Sequence, residues 1–182
     1  MKKHKEILNE IDSVLSSINN LEIEELINLI NASNTIVTLG AGRVGMAIKG
    51  FAMRLGHLGF RAYHIGDTTV PSIGKNDLLI VASGSGETQS IYDLVKIGKN
   101  NGASIILITG NVDSRIAKLS DKILLVNAPS KTKKVDGLKS IQPMTTLNEQ
   151  CLGILFDTIV LEIMEITGET HQTMWERHSN LE

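Results

Sequence analysis

Ile7, Leu8, Ile11, Leu15 and Ile18 recur at helical spacing, and Ile23, Leu26, Ile27 and Ile30 repeat the pattern beyond Asn19-Asn20. Two amphipathic N-terminal helices are expected from that periodicity. From Thr35 the rhythm changes to short apolar runs, each closed by a turn and followed by a longer amphipathic stretch. Thr35–Leu39, Arg61–Ile65, Leu78–Ala82, Ser104–Ile108 and Lys122–Val126 read as strands, with helices near Val44–Leu58, Thr88–Asn100 and Ser114–Leu119 between them. Strands alternating with helices of this length form right-handed βαβ units and a parallel sheet covered on both faces. Residues 129–143 interrupt the alternation with Lys131, Lys133, Lys134 and Gly137 and few apolar positions, so a loop is expected, either a solvated surface segment or a flap over a site. A long helix from about Thr145 to Ile166 and a final helical piece, Thr170 to Asn180, close the chain.

The chain shows no repeat, low-complexity tract or linker, and its length suits one domain with a full core. The expected organisation is N-terminal helices over 1–33, a sheet core over 34–128, a loop over 129–143 and C-terminal helices over 144–182. The fold class is then α/β: a three-layer α/β/α sandwich with a five-stranded parallel sheet, flavodoxin-like, with helices added at both ends.

Composition narrows the functions. Aromatic residues make up 3% of the 182 positions and the formal charge is −2, which supplies neither stacking platforms nor a basic footprint for nucleic acid. The N-terminus leads into an amphipathic helix rather than an apolar signal core, and no apolar run approaches the roughly 20 residues that span a bilayer. A cytoplasmic location is therefore expected. The single cysteine, Cys151, sits in the apolar run Cys151-Leu-Gly-Ile-Leu-Phe156, where a buried, inert thiol is expected.

The strongest candidate chemistry follows the third strand. Ser83-Gly84-Ser85-Gly86-Glu87-Thr88 joins that strand to a helix with Ile91, Leu94 and Val95 on its apolar side. A glycine-and-hydroxyl turn that opens a helix offers backbone N–H groups at the positive end of the helix dipole. Ser83, Ser85 and Thr88, with the backbone of residues 84–88, are the expected donors to an anion. The turn has no lysine, which favours a compact phosphate on a small molecule over a nucleoside triphosphate with its metal. Thr88 could alternatively serve only as a helix cap.

The first strand ends in Gly40-Ala-Gly-Arg-Val-Gly45, which satisfies the dinucleotide fingerprint, and Asp67 follows the second strand at about the expected interval. Against that reading, the chain has no room for a separate substrate domain, and Arg43 projects from the tight turn as a ligand contact would. The glycines could also serve only to bring strand and helix close together.

Taken together, these motifs resemble the sugar isomerase (SIS) phosphosugar-binding fold. With Phe51-Ala-Met-Arg-Leu55, His57-Leu-Gly-Phe60, Gly66-Asp-Thr-Thr-Val-Pro71, Gln142-Pro-Met-Thr145 and Arg177-His-Ser-Asn-Leu181, the chain is similar to the 6-phospho-3-hexuloisomerase family from about Asn34 to its end. The resemblance implies interconversion of D-arabino-hex-3-ulose 6-phosphate and fructose 6-phosphate in the ribulose monophosphate pathway, in formaldehyde fixation or pentose supply. It implies no metal or redox cofactor and a homotetramer. It points to Glu149 as proton acceptor and to His178, in a tail that enters a neighbouring subunit's site, as a second catalytic group. Gly42, Arg43, Ser83, Gly84, Ser85, Gly86, Glu87 and Thr88 are the implied substrate contacts. By residue type alone, Glu149 could instead be a first-turn acid complementing a helix dipole, and His178 a surface residue. His57 and His64 suit core or surface roles, Arg54 a structural ion pair, and Thr68 and Thr69 a loose contact with the sugar. Glu87 stands where some relatives carry arginine. Another phosphosugar isomerase on the same fold, or a non-catalytic sugar-phosphate sensor, are the competing functions.

Overall fold

The computed structural model describes residues 2–130, 135 and 138–181, so Lys131, Lys133, Lys134 and Gly137 of the expected loop lie outside the described residues. Strands β1 (Ile36–Gly40), β2 (Ala62–His64), β3 (Leu78–Ala82), β4 (Ser104–Thr109) and β5 (Lys122–Leu125) form one sheet in the order β2-β1-β3-β4-β5, with every pairing parallel. The helices are α1 (Lys3–Leu15), α2 (Asn20–Ala32), α3 (Gly42–His57), α4 (Gln89–Asn100), α5 (Thr146–Thr167) and α6 (His171–Glu176).

Alternation along the strands sorts two apolar layers. Ile36, Leu78, Ile80, Ala82, Ile106, Ile108 and Leu124 face a core built with α1, α2, α3 and α5. Val37, Leu39, Leu79, Val81, Ile105 and Leu107 face Ile91 and Val95 of α4, with Ile116 and Ala117. Both faces of the middle strands are therefore buried, which is why those strands read as unbroken apolar runs. On the thicker side, Phe51 of α3 stacks on Phe156 of α5 with ring centroids 4.6 Å apart. Cys151 is fully buried in the same layer, and burial pushes its thiol up to about 12, as expected of an inert side chain. Among the described residues, no helix is long and apolar enough to cross a membrane.

Several boundaries moved. Asn19 caps α2 through its side chain, accepting from the Leu21 amide, so the interhelical break lies just before Asn20. The helix expected over Ser114–Leu119 shrinks to a 3-10 turn, Ala117–Leu119. Its leading amides are engaged elsewhere: Arg115 N–H donates to Glu87 Oε1 and Ile116 N–H to the Gly86 carbonyl. The last helix ends at Glu176, where Arg177 folds back to donate to Glu169 and to the His57 carbonyl. Hydrogen bonds from Arg177, and next from Thr173, hold the Glu169 carboxyl down to about 2. The described end of the 129–143 segment is tied to α1, because Glu10 accepts from Ser140 Oγ, the Ile141 amide and Gln142 Nε2. Desolvation alone would raise the Glu10 pKa, but these bonds together bring it below its ordinary value.

The stacked phenylalanines join the two longest helices of the thicker layer. Phe51→Ala should cost about 3–5 kcal/mol of unfolding free energy, read as a lower urea midpoint at unchanged m-value.

Candidate phosphosugar site

The strand order places β1 between β2 and β3, and chain direction across the sheet reverses at the β1/β3 boundary. Crevices outside the carboxyl ends of strands at such a switch point are where open α/β sheets bind ligands. Here the crevice is a cleft of about 370 Å³, within the range of small-molecule sites. Its walls come from the turn after β1 (Ala41, Gly42, Arg43), the turn after β3 (Ser83, Gly84, Ser85, Thr88) and the start of α5 (Met144, Thr145, Asn148, Glu149).

The turn after β1 is shaped by contact and by conformation. A Cβ on Gly45 would sit 2.8 Å from the Gly40 carbonyl oxygen, so helix and strand meet only without side chains there. Gly42 has φ +58 with open space where a Cβ would point. The packing role envisaged for these glycines is thus real and compatible with a ligand contact at Gly42. Asp67, the candidate ribose acid of a dinucleotide site, is held 2.7 Å from Lys49 Nζ of α3.

The turn after β3 is braced from within and from behind. Ser83 Oγ accepts from the Gly86 amide and Ser85 Oγ from the Glu87 amide, each at 3.2 Å, which leaves both hydroxyl hydrogens free to donate outward. The amides of Gly84, Ser85 and Thr88 have no acceptor among the described residues. Thr88 occupies the cap position of α4, yet its hydroxyl makes no capping bond. The turn therefore turns unused donors toward the cleft at a helix N-terminus. From behind, Arg115 holds Glu87 by its amide and by a 3.3 Å ion pair, and Arg115 Nη2 donates to the Glu87 carbonyl. Gly86 and Glu87 accordingly stand outside the cleft wall, as structural members of the turn.

Glu149 enters from the first turn of α5. Thr145 Oγ1 donates to its Oε1 at 2.8 Å, and Arg43 Nε lies 3.0 Å from its Oε2. The carboxylate side chain is 13% exposed and that of Arg43 61%. The fold thus brings Glu149, Arg43, Gly42 and the Ser83–Ser85 and Thr88 donors around one cavity. It does not bring His178 there. His178 packs against His57 and Trp175, with centroids 5.1 and 4.9 Å away, at the far end of α3. Arg43 and His57 are 14 residues apart on that helix, about 21 Å along its axis. Arg54 turns its Nη1 to His57 Nδ1 at 3.3 Å, in place of the carboxylate an ion pair would supply. His64 is a core residue bonded to Thr38 Oγ1, and desolvation lowers its pKa. Thr68 and Thr69 lie outside the cleft wall.

Sequence reasoning missed Met144, Thr145 and Asn148. Met144 has φ +56, an uncommon state for a residue with a side chain, and it sets the entry into α5. Asn148 carried a legible signal: with Cys151, Leu152 and Leu155 it occupies the buried stripe of α5, where an apolar residue is the norm.

An α/β sheet with unused amide and hydroxyl donors and a carboxylate around one cleft at its switch point has the form of a site for a small phosphorylated molecule. Residues 29–152 match the SIS domain family. A 3-hexulose-6-phosphate isomerase of Bacillus subtilis is 39% identical over 177 residues, covering 97% of this chain and 96% of the relative. One of the same name from Mycobacterium gastri is 32% identical, covering 97% and 88%. A crystal structure of a Methanococcus jannaschii protein, described as inferring 3-hexulose-6-phosphate isomerase function, superposes with a TM-score of 0.87 at 30% identity over both whole chains. The chain belongs to the SIS family, in the group of the 3-hexulose-6-phosphate isomerases.

The turn's shape depends on Gly86, which has φ +65 and where a Cβ would overlap Ser114 Oγ and Cβ. Gly86→Ala should lower stability by about 2 kcal/mol or more and weaken phosphate binding. Calorimetric melting and phosphate titration both read this, and an unchanged melting temperature would contradict the bracing role.

Proposed function

We propose that this protein interconverts D-arabino-hex-3-ulose 6-phosphate and D-fructose 6-phosphate. The observation that carries the proposal is a carboxylate, Glu149, across one cavity from a set of unused amide and hydroxyl donors. The donors fit a phosphate at one end of a short substrate, and the carboxylate fits the carbon-bound hydrogens at the other.

The reaction balances without an added electron acceptor. With the carbonyl at C3, Glu149 takes the proton from C2, the C2–H electron pair forms the C2=C3 double bond, and the C3 carbonyl oxygen takes up a proton to give the enediol. The C2 hydroxyl then loses its proton as its carbonyl forms, and C3 receives a proton from the same carboxylic acid. One base serves both carbons because they are adjacent and the proton leaves and returns on one face. Arg43 stabilises negative charge on the enediol oxygens, and the Thr145 hydroxyl orients the carboxylate.

His178 fits the chemistry only across a subunit boundary. Within one chain it lies about 21 Å of helix from Arg43. A homotetramer in which the tail of one copy reaches the cleft of another would supply an imidazole for proton shuttling between hydroxyls. The same reading places the protein in the cytoplasm and in the ribulose monophosphate pathway. It involves no nucleic acid or membrane partner.

Two experiments test this. In deuterated water, fructose 6-phosphate should exchange the hydrogen at C3. Glu149→Gln should lower that rate at least about 100-fold while fructose 6-phosphate still binds. A variant with near-normal exchange removes Glu149 from the role, and exchange at C1 alone points to a different isomerase. Separately, inactive Glu149→Gln and His178→Ala proteins, unfolded together and refolded as mixed oligomers, should regain activity if sites are shared between copies. Mixtures as inactive as their parents count against a shared site.

A further inference from the structure

We infer that Asn148 is a substrate-reading residue that distinguishes a phosphorylated sugar from phosphate itself; this rests on the phosphosugar reading above and sharpens it. Asn148 is 1% exposed, and among the described residues neither its Oδ1 nor its Nδ2 has a hydrogen-bond partner. A buried carboxamide left unpaired costs stability, and native interiors seldom contain one. Asn148 is also a wall residue of the cleft, next in the chain to Glu149.

Its position between the two ends of the site is fixed by Gly84. A Cβ on Gly84 would lie 3.1 Å from Asn148 Oδ1 and 3.4 Å from its Cγ, so the phosphate turn and the carboxamide meet face to face. On the other side, Glu149 holds the reacting end. Asn148 and Glu149 are consecutive on α5 and line the same cleft as the turn, so a ligand filling it from the turn to Glu149 comes within reach of Asn148. The carboxamide offers donors and an acceptor whichever way it is turned. A sugar phosphate supplies both complements, an oxygen that accepts and a hydroxyl that donates. Inorganic phosphate lacks the hydroxylated carbon that carries the second beyond the turn. Asn148 would therefore be satisfied in full only by a ligand with a hydroxylated carbon next to its phosphate-bearing end.

Binding of fructose 6-phosphate and of inorganic phosphate to the full-length protein, both by calorimetry, tests this. Asn148→Ala should raise the Kd for fructose 6-phosphate about 10- to 100-fold and leave that for inorganic phosphate within about twofold. Asn148→Asp keeps the shape but sets a carboxylate beside the phosphate, and should weaken both ligands. Melting temperatures confirm folding, and Asn148→Ser serves in place of either variant that does not fold. An unchanged Kd for fructose 6-phosphate in Asn148→Ala, or equal weakening of both ligands, overturns the assignment. Wild-type protein that binds inorganic phosphate but not fructose 6-phosphate overturns the phosphosugar reading itself, and this inference with it.

Discussion

A strand that ends at its carboxyl edge and turns directly into a helix leaves amide hydrogens with nothing in the protein to accept them. Here that strand is β3, and among the described residues the amides without an acceptor are those of Gly84, Ser85 and Thr88. Buried or half-buried donors of this kind are costly unless a ligand or water takes them up. The surroundings hold the arrangement open and do not relax it. Ser83 and Ser85 take up the neighbouring amides, and Ser114 fills the space beneath Gly86. Arg115 clamps Glu87, while Thr109 Oγ1 and the Gly110 amide converge on the Gly84 carbonyl. A collapsed turn would satisfy its own donors and have none left for an anion.

That constraint explains parts of the fold that look unrelated to binding. The segment after β4 gives two of its amides to the turn, Arg115 N–H to Glu87 Oε1 and Ile116 N–H to the Gly86 carbonyl. Glu87, which by position beside a phosphate site would repel an anion, is neutralised by Arg115 behind the turn. Its carboxylate faces Arg115 and lies outside the cleft wall.

The elements whose periodicity reports burial were legible in the sequence. Strands buried on both faces read as apolar runs, and Leu78–Ala82 has the same bounds in sequence and structure. Glycine and hydroxyl residues at the strand ends marked the anion turn because few other purposes need so many small residues in succession. The less legible features come from tertiary hydrogen bonds. Nothing local in Ser114–Leu119 announces that its donors are needed elsewhere, and nothing local in Arg177 announces Glu169 and the His57 carbonyl as its partners. Glu87 was expected on the substrate because turn membership shows in sequence while the direction of a side chain does not. For Glu149, spacing put it in the first turn of a helix, the position of a simple dipole partner, while its neighbours Arg43 and Thr145 are visible only in the fold.

Three departures from local rules share one place. Met144 has a positive φ, Asn148 is buried without a partner, and Thr88 leaves its helix uncapped. Each departure costs on the order of 1–3 kcal/mol, and all three line the same cleft. Single departures also occur away from the cleft, at Asn76 with φ +70 and at α1, which has no side-chain cap, while α2 is capped by Asn19 and α6 by the reciprocal box of Thr170 and Thr173. What sets the cleft apart is that three different kinds of departure meet on its wall, the pattern expected where stability is traded for a binding site. A ligand that accepts from the turn, pairs with the carboxamide and reaches Glu149 would remove two of the three costs on arrival. On the reading proposed above, relief of those costs would add to the binding free energy of an anion with hydroxylated carbon attached.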